Sequence, residues 1–368
     1  MQMTPDGVSH CLVEFTWSED DAAHPARSVL LRLLTPTDFA NDDGDLSPYL
    51  MTRDDGVWRV TLRLPSDLRT SYQFCPVRDR ELPATVGADD WEAVCALGVP
   101  DPANPAGIGP STWPNHGSAA VLELPAARPQ PWHARRPGVA RGEVTQHTLG
   151  SSEFWVYTPH GYAGSSADAA LAILFDGKVW AGIDVAATLD NLHAEGLVPP
   201  TVVVGVASIR GLPRNASLVD SGVLMSFLLD DLMPVVTEGW RVTADPARTV
   251  LAGQSLGGLA ATHAALRAPD RFGLVLTQSG SFWRGANGDG EIDSPALMDE
   301  IAREDPRPIR IFQEAGSLER NLLVKNRILY GVLLARGYPV TYREYQGGHD
   351  YACWRGGLAD GLVALLGR

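Results

Sequence analysis

Two different patterns of apolar residues divide this chain of 368 residues, and they constrain its fold more than any other feature. Beyond about residue 150, short continuous apolar runs such as 170–175 and 201–206 alternate with stretches of helical character. Strands that are apolar on both faces are typical of a parallel sheet covered by helices on both sides. The second part of the chain is therefore predicted to be an α/β domain built on such a sheet.

The first part of the chain has short strand-like runs instead. Between about residues 10 and 125 apolar and polar residues alternate, Asp, Gly and Pro clusters separate the runs, and no convincing helical stripe interrupts them. Several short strands at this spacing favour a β-sandwich. The proline-rich stretch 99–138 is typical of an extended connector, so we assign 1–135 to the β-sandwich and 136–368 to the α/β domain.

The composition disfavours several classes of function. A net charge of −14 disfavours general nucleic-acid binding and binding to an anionic membrane surface, because both need clustered Lys and Arg. The cysteines Cys11, Cys75, Cys95 and Cys353 are widely spaced, so we predict buried free thiols and no zinc site or disulfide framework. The chain has neither a signal-peptide pattern nor an apolar run approaching ~18 residues, and we expect a cytoplasmic protein of undetermined oligomeric state.

One short motif indicates a nucleophile. Residues 253–257 read Gly-Gln-Ser-Leu-Gly, after a predicted buried strand and before a predicted helix. In that context GxSxG forms a sharp turn that lifts the hydroxyl of Ser255 to the end of the sheet, and the glycines let strand and helix approach closely. The backbone N–H of Leu256, at the helix N-terminus, would then point at a developing oxyanion. A lone GxSxG recurs by chance, but the flanking elements make Ser255 the predicted nucleophile.

Two histidines follow Ser255 in the chain. His263 lies inside the same predicted helix, ~12 Å along the axis, and is interpreted as a packed helix residue. His349 follows the last predicted strand, where the general base of an α/β-hydrolase belongs, and nearby glycines let that loop bend over the serine. We therefore predict that His349 is the general base.

The acid that orients the base is not decided by spacing. Both Glu314 and Glu319 follow the penultimate predicted strand, and Glu319 could equally be an N-terminal helix acid favoured by the helix dipole. Asp350, next to His349, is interpreted as a loop-capping residue. A second oxyanion donor is expected in the loop after the first buried strand, from the backbone N–H of Gly177 or Lys178, although an ordinary turn is the alternative there.

Four segments of this α/β part resemble the enterochelin (enterobactin) esterases, which belong to the esterase D group of the α/β-hydrolases. They are residues 174–180, 252–259, 278–283 and 347–357. Residues 68–74 and 101–105 look like segments of the immunoglobulin-like N-terminal domain of that family. The resemblance covers nearly the whole chain and implies an α/β-hydrolase domain preceded by an immunoglobulin-like β-sandwich.

The resemblance also implies a reaction. Esterases of this family hydrolyse the trilactone of ferric enterobactin, or linear pieces of it, in the cytoplasm and so allow iron release. Their catalytic acid matches Glu319 rather than Glu314. The resemblance implies a Ser-His-Glu triad, with iron present only as part of the siderophore substrate and with no cofactor or protein-bound metal.

The family binds catecholates through basic and aromatic side chains, and a ferric tris-catecholate, being a trianion with flat aromatic faces, suits guanidinium and indole groups. The matching positions here are Lys178, Trp180, Arg214, Trp283 and Trp354. For each tryptophan, core packing is an equally good interpretation.

The sequence departs from the family around this pocket. Ser217 and Ser221 replace a usual Glu and Asn, and Lys178 stands where Gln is common. These departures leave the identity of the siderophore open. Two other functions are considered: a feruloyl or acetyl carbohydrate esterase, since related esterases pair a β-domain with this fold, and a non-catalytic siderophore-binding protein, against which the complete Ser, His and Glu set argues.

Overall fold

The computed structural model describes residues 2–3, 9–19, 24–109, 117–288 and 290–367. The chain forms two compact units. The first unit comprises Met1–Pro129 together with Gly316–Glu319 and Gln346–Cys353, and the second comprises Gln130–Ala315, Arg320–Tyr345 and Trp354–Arg368. The predicted domain assignment of 1–135 and 136–368 stays a prediction.

The first unit contains two four-stranded sheets whose pairings are antiparallel, with strand orders β1-β2-β5-β4 and β3-β6-β8-β7. Their strands are β1 (Gln2–Met3), β2 (Ser9–Ser18), β3 (Ser28–Leu33), β4 (Thr52–Asp54), β5 (Val57–Pro65), β6 (Arg69–Val77), β7 (Gly107–Ile108) and β8 (Ala119–Glu123).

Both sheets of the first unit contribute to one apolar core. Phe15 and Trp17 of β2 and Trp58 of β5 pack in the same cluster as Leu31 of β3 and Phe74 of β6. Buried and exposed residues alternate at the end of β2, as expected for a strand with one face on a core. The predicted β-sandwich is confirmed, whereas its likeness to an immunoglobulin domain stays a prediction.

The expectation that no helix interrupts these strands is wrong. The unit also contains α1 (Pro36–Asp42), α2 (Ala88–Ala96) and a 3₁₀ turn at Ser47–Tyr49. Helices of seven and nine residues are too short to display a clear apolar stripe. Local signals start α1 instead: proline is its first residue, and the backbone N–H of Thr35 donates to Asp38 Oδ2 at 3.0 Å.

The second unit is built on an eight-stranded sheet of order β16-β15-β14-β13-β11-β12-β10-β9. Its strands are β9 (Glu143–Leu149), β10 (Ser152–Thr158), β11 (Ala170–Leu174), β12 (Thr201–Ser208), β13 (Thr249–Gln254), β14 (Leu274–Gln278), β15 (Arg310–Gly316) and β16 (Val340–Tyr345).

The predicted parallel sheet is confirmed for five adjacent strands, in the spatial order β12-β11-β13-β14-β15, where neighbouring strands pair in parallel. At one edge the prediction is wrong, because β10 pairs antiparallel with both β12 and β9. No strand was predicted over β9, whose residues are exposed or half-buried and carry no apolar run. An edge strand such as β9 needs no such run, since it is not covered on both faces.

Helices separate most of these strands. They are α3 (Gly177–Gly182), α4 (Val185–Ala194), α5 (Arg214–Val219), α6 (Ser221–Ser226), α7 (Met233–Gly239), α8 (Leu256–Arg267), α9 (Ser294–Arg303), α10 (Asn321–Ala335) and α11 (Tyr351–Leu366). A π-helical turn, Phe227–Leu232, joins α6 to α7, and 3₁₀ turns occupy Tyr162–Gly164 and Pro246–Arg248. Among the described residues, none of the helices is sufficiently long and apolar to span a membrane.

The central strands of the second unit are completely covered. Leu171 and Ile173 of β11, Leu251 of β13 and Val275 of β14 have no exposed surface. Because β11, β13, β14 and β15 are parallel neighbours, their carboxyl ends lie along one edge of the sheet. The residues of the second unit that follow β11, β13 and β14 are therefore brought together by the fold.

Candidate active site

A strained turn places Ser255 between β13 and α8. Its backbone has φ 57° and ψ −122°, a conformation that is rare for a residue with a side chain. Such strain persists only where the surrounding structure enforces it, and it is typical of the nucleophile elbow predicted here. Leu256 is the first residue of α8, so its backbone N–H has no acceptor within the helix.

Glycines make the elbow possible because strand and helix cross without room for side chains. A Cβ atom on Gly253 would lie 2.3 Å from the carbonyl carbon of Gly257. A Cβ atom on Gly258 would lie 2.4 Å from Thr277 Oγ1 of β14. Both distances are far below van der Waals contact, so larger residues at these positions would displace the start of α8 and, with it, Ser255.

A second serine holds Ser255. The Oγ atoms of Ser255 and Ser281 lie 3.2 Å apart, and the backbone N–H of Ser281 donates to the carbonyl of Ser255 at 3.0 Å. The N–H of Ser255 donates to the carbonyl of Gln278, also at 3.0 Å. Sequence reasoning identified no role for Ser281, although the loop after β14 necessarily lies beside the elbow because β14 is the neighbour of β13.

The start of α3 lies beside the elbow. Gly177 is its first residue, and a Cβ atom there would lie 2.3 Å from the carbonyl carbon of Gly205 in β12. A Cβ atom on Gly257 would lie 3.3 Å from Phe175 Cβ, so the end of β11 packs against the first turn of α8. The two segments predicted to donate oxyanion hydrogen bonds are thus neighbours within the second unit.

In the first unit, His349 and Glu319 form a close pair. His349 Nδ1 lies 2.5 Å from Glu319 Oε1, and the backbone N–H of Gly316 donates to Glu319 Oε2 at 2.7 Å. The backbone N–H of His349 donates to Thr35 Oγ1 at 2.7 Å. The Glu319 side chain is only 2% exposed, so its contact with His349 is shielded from water.

Glu314, the alternative acid, is engaged elsewhere. It is completely buried, accepts from Gln278 Nε2 at 2.5 Å and pairs with Arg343, whose Nε donates to Oε2 at 2.6 Å. Arg343 also pairs with Asp360. Burial raises the pKa of the Glu314 carboxyl, and the charge of Arg343 opposes that rise. Of the two carboxylates that sequence spacing left open, Glu319 is the one that contacts His349.

The interpretation of Asp350 as a capping residue is confirmed. Its Oδ1 accepts from the backbone N–H of Ala352 at 2.8 Å, which satisfies a donor in the first turn of α11. Its Oδ2 accepts from the backbone N–H and the hydroxyl of Ser71, at 2.5 and 2.9 Å. Asp350 therefore fixes the loop that carries His349 within the first unit.

Four of the ligand-binding residues inferred from the family resemblance, three tryptophans and a lysine, divide into a buried pair and an exposed pair. Trp180 is fully buried and donates to Gln254 Oε1 at 3.2 Å, and Trp354 is buried and donates to Ser279 Oγ at 3.1 Å. For these two, burial favours the core-packing alternative. Trp283 is 55% exposed and Lys178 is also exposed, so both side chains are accessible to a ligand.

Arg214 already has an anionic partner in the protein. Its Nε and Nη2 donate to Asp176 Oδ1 and Oδ2, at 2.5 and 2.7 Å, and Nη2 lies 3.3 Å from the carbonyl oxygen of Gln254. Sequence reasoning missed this pair, since Asp176 and Arg214 are 38 positions apart and follow different strands.

His263 is a packed residue of α8, as predicted. It is 5% exposed, and its Nε2 lies 2.8 Å from Ser221 Oγ. Burial, with a further contribution from the charge of Arg267, lowers the pKa of His263 to about 4. Ser221, one of the departures from the family pattern, is therefore occupied with this histidine.

Within the part of the chain that the structure describes, no group of three or more His, Cys, Asp or Glu side chains is arranged to hold a metal ion. The four cysteines are free thiols. The prediction that they are buried is confirmed for Cys75, Cys95 and Cys353 and wrong for Cys11, which is half-buried on β2.

Comparison with known proteins identifies the relatives of this chain. Residues 146–365 match the family described as "Putative esterase", and residues 12–133 match "Enterochelin esterase, N-terminal". An iron(III) enterobactin esterase of Dickeya dadantii is 31% identical over 96% of this chain and 87% of its own length. An iron(III) salmochelin esterase of Escherichia coli is 30% identical over the same shares of both chains.

A solved structure extends the similarity to three dimensions. The ferric enterobactin esterase of Salmonella typhimurium superposes with a TM-score of 0.83 and 28% identity, covering 99% of this chain and 95% of that one. The matches cover nearly the whole of this chain and include both halves of the sequence. This chain therefore belongs to the enterobactin esterase family, carboxylic ester hydrolases in which an α/β-hydrolase domain follows an enterochelin esterase N-terminal domain.

Proposed function

We propose that this protein hydrolyses the ester bonds of a ferric catecholate siderophore of the enterobactin type. The observation that carries the proposal is the similarity, over 96% of this chain, to enzymes named iron(III) enterobactin and iron(III) salmochelin esterases. A similarity confined to the α/β domain would support ester hydrolysis alone. Since the N-terminal domain is shared as well, the substrate class is proposed along with the reaction.

The proposed mechanism is that of a serine esterase. His349 takes the proton of Ser255, whose Oγ attacks a seryl ester carbonyl and forms a tetrahedral intermediate. The backbone N–H of Leu256, together with that of Gly177 or Lys178, stabilises the oxyanion. Collapse of the intermediate expels the seryl alcohol, which receives the proton from His349, and water then hydrolyses the acyl-enzyme in the same way.

In this mechanism Glu319 acts through His349. The 2.5 Å contact with Nδ1 supports a role in orienting the ring and stabilising the imidazolium, and it leaves Nε2 as the nitrogen that exchanges a proton with serine. The buried carboxylate also accepts from the Gly316 N–H, which keeps it in position. We propose that Ser255, His349 and Glu319 form the catalytic triad.

For substrate recognition we propose Lys178 and Trp283, the accessible members of the set inferred from the family. A positive charge and an exposed indole suit a trianion with aromatic faces. Because the whole chain carries a net charge of −14, such local groups must overcome a repulsive overall field. Iron is proposed to arrive with the substrate, without a resident cofactor, and the reaction is proposed to take place in the cytoplasm, as the family resemblance implies.

The test is product analysis after incubation with ferric enterobactin, salmochelin and bacillibactin in parallel, with a feruloyl ester as a fourth substrate. We expect linear and monomeric acylserines from at least one siderophore, and a loss of order 10³-fold or more in Ser255→Ala. Turnover of the feruloyl ester alone would contradict the substrate class. A purified protein that binds siderophore but leaves Ser255 unlabelled by a serine-reactive phosphonate would be a binding protein.

A further inference from the structure

The ion pair between Asp176 and Arg214 joins the two backbone segments that flank the proposed oxyanion site. Asp176 lies two residues after the end of β11 and directly precedes Gly177, with the left-handed backbone angles φ 59° and ψ 36°. Arg214 grips its carboxylate with two parallel hydrogen bonds and also donates to the carbonyl of Gln254, the residue before Ser255. One guanidinium group therefore spans the start of α3 and the elbow.

We propose that Arg214 is a positioning residue, which holds the oxyanion-donating loop against the elbow rather than binding the siderophore. The inference rests on the proposed function, since it assumes that Ser255 is the nucleophile. A bidentate guanidinium–carboxylate pair fixes both distance and orientation, which a single hydrogen bond does not. It also holds Asp176 in a left-handed conformation that costs free energy in a residue with a side chain.

The contacts of Arg214 within the protein argue against direct contact between its guanidinium group and an anionic ligand, although the side chain as a whole is 28% exposed. Two of its three guanidinium nitrogens, Nε and Nη2, face Asp176, and the third, Nη1, is buried. The Asp176 side chain is only 6% exposed. Since the carboxylate neutralises the guanidinium, the pair offers a trianion little net attraction.

The charges of the pair also predict an asymmetry. A carboxylate beside a developing oxyanion opposes the transition state in a site that excludes water, unless a cation neutralises it. Removal of Arg214 would free the Asp176 side chain to move and would leave its negative charge without a neutralising cation. Removal of the Asp176 charge would leave a cation, which does not oppose the oxyanion. The arginine variant is therefore expected to be the more damaged of the two, and loss of both charges should be milder than loss of arginine alone.

The experiment compares Arg214→Gln, Asp176→Asn and the double variant on two substrates, ferric enterobactin and p-nitrophenyl butyrate, which lacks a catecholate. Arg214→Gln should lower kcat about 10²-fold on both substrates, the cost of misplacing a catalytic group, with little change in KM. Asp176→Asn should lower kcat less than Arg214→Gln does, and the kcat of the double variant should lie above that of Arg214→Gln. Arg210→Gln is the matched control, because Arg210 pairs with Asp231 in an exposed position and should leave kcat unchanged.

A rise in KM for ferric enterobactin, with normal kcat for p-nitrophenyl butyrate, would overturn the proposal in favour of a ligand-binding role. So would a double variant no more active than Arg214→Gln. If Arg214→Gln does not fold, Arg214→Lys replaces it, since lysine keeps the charge without the bidentate grip and should still lower kcat on both substrates. Wild-type protein that cleaves only the simple ester would contradict the proposed siderophore and leave this comparison intact.

Discussion

At the scale of single residues, the candidate site is defined by hydrogen bonds between groups far apart in the sequence. Ser255 and Ser281 are 26 positions apart, and His349 and Glu319 are 30 apart. Chain order and the elbow context were enough to predict Ser255 and His349. Spacing could not choose between Glu314 and Glu319, because both follow β15, and the family resemblance was needed. Ser281 and the partner of Arg214 were missed because no local pattern encodes a contact between two loops.

Ser281 offers a prediction at this scale. Replacing it with alanine removes the hydroxyl that lies 3.2 Å from the Ser255 hydroxyl and frees that side chain to rotate. Loss of one such hydrogen bond costs about 1 kcal/mol, so we expect roughly a fivefold slower reaction of Ser255 with a serine-reactive phosphonate. Ser281→Thr keeps the hydroxyl and serves as the control. Equal labelling rates in wild type and Ser281→Ala would show that the contact does not matter for reactivity.

Substitutions of Glu319 and Glu314 are predicted to affect different properties, catalysis in the first case and stability in the second. Glu319→Gln should lower kcat by about 10²-fold or more, because the imidazolium of His349 loses its counter-charge. Glu314→Gln should instead lower the free energy of unfolding by about 3 kcal/mol, because it breaks the buried pair with Arg343. Urea unfolding and kcat, measured on both variants, separate these effects. The opposite pattern, an inactive but stable Glu314→Gln, would reassign the acid.

At the scale of helices and strands, continuous apolar runs predicted the central strands of the second unit well. The misses have physical reasons. The edge strand β9 carries no apolar run, and α1 and α2 are too short for a periodic signal. Between α6 and α7 the chain forms a π-helical turn at Phe227–Leu232, which hydrophobic periodicity does not reveal.

Helix α8 carries a prediction about pH through His263. The folded protein holds the pKa of this histidine at about 4, below its ordinary value near 6.5, so the unfolded chain binds the proton first as the pH falls. Stability should therefore decline between about pH 6.5 and 4, by roughly 3 kcal/mol in total from this residue. Urea unfolding at pH 7.5 and 4.5 measures the decline. His263→Gln should reduce it, and an unchanged difference between the two pH values would rule out His263 as a source.

At the scale of the whole molecule, the division into units does not follow the order of the chain. Gly316–Glu319 and Gln346–Cys353 come late in the sequence but belong to the first unit with Met1–Pro129. The loop of His349 is held there by Thr35 and Ser71, through its own backbone N–H and through Asp350. The sequence could not predict this, because Thr35 lies 314 positions before His349 and Ser71 lies 279 positions before Asp350.

Thr35 provides the test of that support. Thr35→Ala removes the acceptor of the His349 N–H, whereas Thr35→Ser keeps it, and both variants remove the methyl group. The loss of one hydrogen bond, about 1 kcal/mol, predicts roughly a fivefold lower kcat for Thr35→Ala relative to Thr35→Ser. Esterase assays with p-nitrophenyl butyrate measure the difference. Identical kcat values in the two variants would contradict a role for the Thr35 hydroxyl in holding the base.

This support by Thr35 and Ser71 limits how the protein can be recombined. A gene fragment that encodes residues 136–368 would carry all three proposed catalytic side chains and yet lack the partners of the loop that bears one of them. In a chimera with the N-terminal domain of another esterase, that domain would have to supply a hydroxyl group at the position of Thr35, to accept from the His349 N–H, and a serine at the position of Ser71. The β-sandwich and the loop that carries His349 are therefore expected to be inherited together when domains recombine.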